Sequence, residues 1–171
     1  MQQAKIISRC LFYFSRFLSV GYLFSVAYAL LCIVTGWFVQ PYGDNKFLHI
    51  NYPFTSRPFL NVDNNLPYII FSFILPLLLY GIFFWLSSNV FRVFFQSRLF
   101  TTQNIVQLKR FYVFDIFIPF PAVLLAGFFV PLENAIWVLV LVHGFLGIFV
   151  YFLAVIFRQG LYLQNEQDLF I

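Results

Sequence analysis

The chain has 171 residues, of which 62% are hydrophobic, 27 are Phe and only 9% are charged. A soluble domain is about a quarter charged, so this composition excludes a water-facing globular surface and makes lipid the natural solvent. The net charge of +4 comes with no basic domain to grip phosphate, so direct nucleic-acid binding is not expected.

Lys5, Arg9 and Arg16 fall on one helical face of the N-terminal segment. They read either as a basic amphipathic lead-in on anionic headgroups or as charge that orients the first span. Apolar character recurs to the end of the chain, so no removable leader is expected. No charge then occurs between Arg16 and Asp44, a gap of 27 residues, and about 20 suffice to cross a bilayer as a helix. The first predicted span is residues 17–39. Gly21, Ser25, Ala29, Cys32 and Gly36 form a stripe of small side chains in it, which predicts a close-packing face toward another span, with dimerisation as the second use. Cys10 and Cys32 lie apart along this helix, and neither a disulfide nor a metal motif is expected of them.

The loop from Gln40 to Leu66 carries Pro41, Pro53 and Pro58. Its KFLHINY stretch alternates weakly and predicts one short strand, in a small lid too short to bury a core of its own. The 28 uncharged residues between Asp63 and Arg92 give the second span, 67–91, with a kink expected at Pro76. The connection that follows is basic, with Arg92, Arg98, Lys109 and Arg110, and Thr101 or Thr102 can cap a helix within it.

Between Asp115 and Glu133 the uncharged gap is only 17 residues, so the third span, 111–130, must take Asp115 into the membrane. Pro119 and Pro121 predict a break in its first half, either a simple bend or a cavity-lining interruption. After a tight turn at 131–134, the fourth span covers 135–157. The predicted fold is an all-α membrane protein, one domain of four transmembrane helices. Eight of the ten Lys and Arg fall on one side of that bundle, and basic residues are retained in the cytoplasm. Both termini are therefore expected there.

An acid inside a span is costly and suggests function. Counting back from the turn at 131–134 sets Asp115 at the depth of Tyr151, whose hydroxyl could bond to it. The alternative is a solvated acid, since Asp115 is only about one turn from the inner boundary. The same count leaves His143, near the middle of the fourth span, without a carboxylate at its level, so a bond to a helix carbonyl is expected there. Asp115, His143 and Tyr151 are the candidate intramembrane polar residues. No zinc-protease, serine-hydrolase or phosphate-loop motif occurs. Neither catalysis nor a cofactor or metal is expected.

Two stretches, LFTTQN at 99–104 and RQGLYLQNEQDLFI at 158–171, resemble a bacterial membrane-protein family described as domain of unknown function 2975. The first is similar to its Phe-Thr pair followed two residues on by Asn, with Gln103 where Glu is commoner. The second is similar to its terminal pattern at Arg158, Gly160, Leu163, Gln164, Glu166, Asp168, Leu169 and Ile171, with Phe170 where Thr or Val is usual. The resemblance implies a small bacterial inner-membrane protein of no established activity. It also implies a signalling partner, a small helix-turn-helix transcription regulator.

These readings converge on a regulatory or sensory membrane component working through its cytoplasmic 92–110 loop and 158–171 tail. The candidate interaction residues are Arg98, Thr101, Asn104, Arg158, Gly160, Gln164, Glu166, Asp168 and Leu169. The acidic tail is expected to fold back on the basic loop as a latch or to offer the same surface to a cytosolic partner, with a frayed, solvated end as the other reading. Gly160 allows a bend or a close approach. The alternative is a small transporter, or a binder of lipid or another small ligand, built on the proline-broken third span.

Overall fold

The computed structural model describes residues 2–168, and four of its helices are long and apolar enough to cross a membrane. The first runs from Gln2 to Thr35 without interruption, so the basic lead-in is the same helix as the first span. It ends where Gly36 takes a positive φ of 73° and its N–H bonds back to the Cys32 carbonyl at 2.8 Å, a glycine stop. The second spans Leu66–Val93 and opens with Pro67 in its first turn, where the missing N–H costs nothing. The third is in two pieces, Thr102–Phe117 and Pro119–Gly127. The fourth runs from Asn134 to Asp168.

Much of the outer surface of these helices is bare hydrocarbon: Phe17 is 76% exposed, Phe24 65% and Phe145 73%. Water would not tolerate so continuous an apolar belt. Acyl chains would.

The chain is not all-α. Three short strands, β1 (Val39–Tyr42), β2 (Phe47–Asn51) and β3 (Pro58–Asp63), form an antiparallel meander in the order β1-β2-β3. The one strand predicted within 46–52 is β2, and it has a partner on each edge. Gly43, Asp44 and Asn45 adopt positive φ and reverse the chain between β1 and β2, and β3 pairs with the other edge. Ile50 and Val62 point down into a cluster with Ala29, Cys32 and Ile69. The Tyr28 hydroxyl donates to the Asn51 carbonyl. The sheet therefore has no independent core and caps the bundle.

The helices associate as two pairs, first with second and third with fourth, joined by contact of the second with the third. The first pair closes on small residues, but not on the whole predicted stripe. Ala29 and Cys32 are buried, whereas Gly21 faces open space. The close approach is made by Gly81 of the second helix, where a Cβ would stand 2.7 Å from Leu23 Cδ2, and Ser19 Oγ donates to the Gly81 carbonyl at 2.8 Å. The burial stripe thus runs through Ser15, Ser19, Val26, Ala29 and Cys32, sharing Ala29 and Cys32 with the predicted one and rotated from it toward the N-terminus.

At the end away from the sheet, the two pairs join through a filled core of Val90, Val93, Leu108, Phe111, Val150, Ala154 and Phe157. Arg16 closes that end of the first pair. Its guanidinium lies 3.6 Å from the Trp85 ring centroid and donates to Asn89 Oδ1 at 2.9 Å, satisfying a charge at the edge of the apolar layer without an acid.

The two glycines separate packing from composition. Gly81→Leu is expected to lower stability by about 1–3 kcal/mol through overpacking, and Gly21→Leu to leave it unchanged, as read by thermal unfolding in detergent.

Candidate functional site

Prolines build the site. In the second helix, Ile69–Ile74 form a π turn, and Leu75 N–H reaches back five residues to the Ile70 carbonyl. Pro76 follows at once, with no N–H to give and a ring that would clash with a regular preceding turn. The wider turn accommodates it, and such turns cluster at functional places in helices. In the third helix, Pro119 cannot donate to the carbonyl of Asp115, four residues earlier. The α-helix stops at Phe117 and resumes at Pro119. Both interruptions lie in the sheet-side half of the bundle, where the two helix pairs do not close.

Between them is a cavity of about 230 Å³. Its walls include Leu75, Pro76 and Leu79 from the second helix, Pro119 and Ala122 from the third, and Val140 from the fourth. Almost all of the lining is hydrocarbon. Two polar-tipped side chains, Tyr80 and His143, also line it, at the level where the cavity gives way to the filled core. There the His143 ring meets the Phe83 ring edge-on at 4.9 Å.

Asp115 stands behind His143, 1% exposed. His143 Nδ1 and Asp115 Oδ1 are 2.8 Å apart. Asp115 Oδ2 is buried with no protein partner. The expected partner, Tyr151, instead meets the Tyr112 ring edge-on at 5.4 Å, and no hydrogen bond joins it to Asp115 among the described residues. The carboxylate expected to be missing from the level of His143 is Asp115 itself. The depth count fails because residues 128–133 are not helical and do not advance at helical rise. Gly147 sets the true register: a Cβ there would lie 2.7 Å from Ile116 Cγ1 and 3.2 Å from Asp115 Cβ. The third and fourth helices touch at that point, and His143, one turn away on the fourth helix, reaches across to the acid.

Three of the sequence-predicted interaction residues, Thr101, Asn104 and Gly160, make contacts that hold the fold. Thr101 caps the third helix, its hydroxyl accepting from Asn104 N–H at 3.2 Å. The buried Asn104 amide donates to the carbonyls of Arg98 and Leu99 at 3.2 and 2.8 Å, fixing the turn that enters the helix. Arg98 and Arg158 are exposed. Gly160 does not bend the chain: the fourth helix continues through it to Asp168. Gly160 serves close approach instead, since a Cβ would stand 2.7 Å from the Phe100 ring.

Gln164 and Glu166 are partly buried on that last stretch. Among the described residues no ion pair joins it to the 92–110 loop, and the fold-back expected of the tail does not occur up to Asp168. Leu169 lies outside the described residues. Sequence reasoning missed Tyr80, Ala122 and Val140 as cavity walls. Pro76 and Pro119 were the available signals, but placing them opposite each other required the helix pairing.

No family model matches this chain, and neither does any curated protein or solved structure.

An acid left alone in apolar surroundings is penalised more than an absent pair. His143→Leu should therefore destabilise by about 1–3 kcal/mol, and adding Asp115→Leu should recover part of that loss. Chemical denaturation in detergent micelles measures both, and simple additivity of the two losses would contradict a direct pair.

Proposed function

We propose that this chain is a bacterial cytoplasmic-membrane protein that takes a small apolar or amphiphilic molecule from the bilayer into the cavity between its second, third and fourth helices. The observation that carries the reading is the cavity itself, bounded by the Pro76 and Pro119 interruptions and overlooked by the Asp115–His143 pair. Ligand sites are concave, mostly apolar and furnished with a few polar groups that orient what binds. Interrupted helices around a cavity are the usual way a membrane protein makes one. For scale, a dry cavity of about 150 Å³ holds benzene. Both termini and the 92–110 connection are assigned to the cytoplasm by the basic residues at that end of the bundle. No catalytic step belongs to this reading.

The regulatory reading has its own support. One uninterrupted helix runs from the cavity wall at His143 to Asp168 and rests through Gly160 on Phe100. Occupancy of the cavity would act on the same rigid element that presents residues 158–168 to the cytosol. A small helix-turn-helix regulator is the partner that the family resemblance suggests for that surface.

A diazirine-bearing alkyl probe, photolysed with the full chain in lipid nanodiscs, should label cavity-lining peptides around residues 71–80, 119–126 and 136–143. Ala122→Phe combined with Val140→Phe should cut that labelling several-fold while labelling of the outward Phe17 and Phe145 faces persists. Undiminished labelling in the filled variant would refute the cavity as a binding site.

A further inference from the structure

We infer that the cavity selects apolar molecules bearing a hydrogen-bond acceptor, a carbonyl head such as a ketone, ester or quinone, which accepts from His143 Nε2–H. The inference rests on the cavity reading above and adds the chemistry of the head group.

His143 lines the cavity, and its Nδ1 is committed to Asp115 Oδ1 at 2.8 Å. Asp115 does not line the cavity, is 1% exposed, and has no charged neighbour within ion-pairing distance other than His143 among the described residues. The ring edge turned away from the acid carries Nε2, which has no protein partner among the described residues and is left for the cavity that His143 lines. In apolar surroundings the pair is held close to zero net charge, because an uncompensated charge there is expensive. Three proton distributions satisfy that condition. One of them, a neutral imidazole donating from Nδ1 to an acid protonated on Oδ2, buries that proton without an acceptor, because Oδ2 has no protein partner. Two remain. Either an aspartate faces an imidazolium, or an aspartic acid donates to Nδ1 of a neutral imidazole. Nε2 bears a hydrogen in both, in the first because both ring nitrogens are protonated and in the second because Nδ1 is the acceptor.

The cavity is thus offered a donor whichever partner holds the shared proton. Its other polar tip, the Tyr80 hydroxyl, can also donate. A ligand that only donates leaves Nε2–H unpaired, and a pure hydrocarbon does the same. An acceptor satisfies it, so discrimination is built into the wall. Phe83, edge-on to the ring at 4.9 Å, helps fix its orientation and offers no acceptor oxygen or nitrogen in competition.

The test uses butyrophenone and butylbenzene, which share one carbon skeleton and differ at one carbonyl, as competitors against the diazirine alkyl probe with the full chain in nanodiscs. At equal mole fraction in the bilayer, the ketone should compete about tenfold better, the worth of one net hydrogen bond of ordinary strength. The infrared carbonyl stretch of ¹³C-labelled butyrophenone should move to lower frequency on binding to the unaltered protein, a readout that needs no variant. His143→Phe combined with Tyr80→Phe, which removes both donors, should equalise the two competitors, whereas His143→Gln, which keeps an N–H donor, should retain part of the preference. Equal competition with no carbonyl shift, while cavity labelling persists, would overturn the head-group inference and leave the cavity reading standing. Absence of cavity labelling in the unaltered protein would overturn both.

Discussion

A carboxyl group removed from water must find a partner, and most of what distinguishes this bundle follows from how Asp115 finds one. Its partner is on the next helix, so the third and fourth helices must approach closely enough for a hydrogen bond of 2.8 Å. Gly147 makes that approach possible, because any side chain there would strike Ile116. The same contact sets the register of the two helices, and with it the level of His143 against the second helix. Burial of an acid, a glycine contact and the placement of a cavity-lining histidine are thus one arrangement.

Proline supplies the complementary constraint. Pro76 and Pro119 each remove a donor from a helix whose carbonyls would have no water to turn to in a bilayer. The second helix absorbs the defect with a π turn; the third stops and restarts. Both solutions spoil the regular surface needed for tight packing on a neighbour, and both occur in the sheet-side half. Away from them, between Val90 and Phe157, the helices pack without interruption and the core is full. The cavity lies where two irregular helix surfaces face each other.

The extramembrane pieces follow the same economy. The three-stranded sheet is too small to stand alone, and it takes its buried face from the ends of the first and second helices through Ile50, Val62 and Ile69. At the other end, the Thr101 cap and the Asn104 amide hold the turn before the third helix, and Gly160 lets the fourth helix settle on Phe100. The two stretches that carry the family resemblance therefore meet in space. In the described residues that contact is steric and apolar, with no charge pairing.

Solvent preference is a sum over residues, which is why the linear chain already determined the number of spans, their order, the basic end and the positions of the helix interruptions. Charge gaps, a capping threonine and prolines act locally and do not need a fold to be read. The Asp115 partner, the rotated packing stripe of the first helix, the extent of the sheet and the cavity were settled by the folded chain. Each depends on the relative height or rotation of two elements. That relation is set by irregular backbone, the six residues after Gly127 or the π turn before Pro76, and by glycine contacts such as those at Gly81 and Gly147, whose meaning exists only once a second helix lies against them.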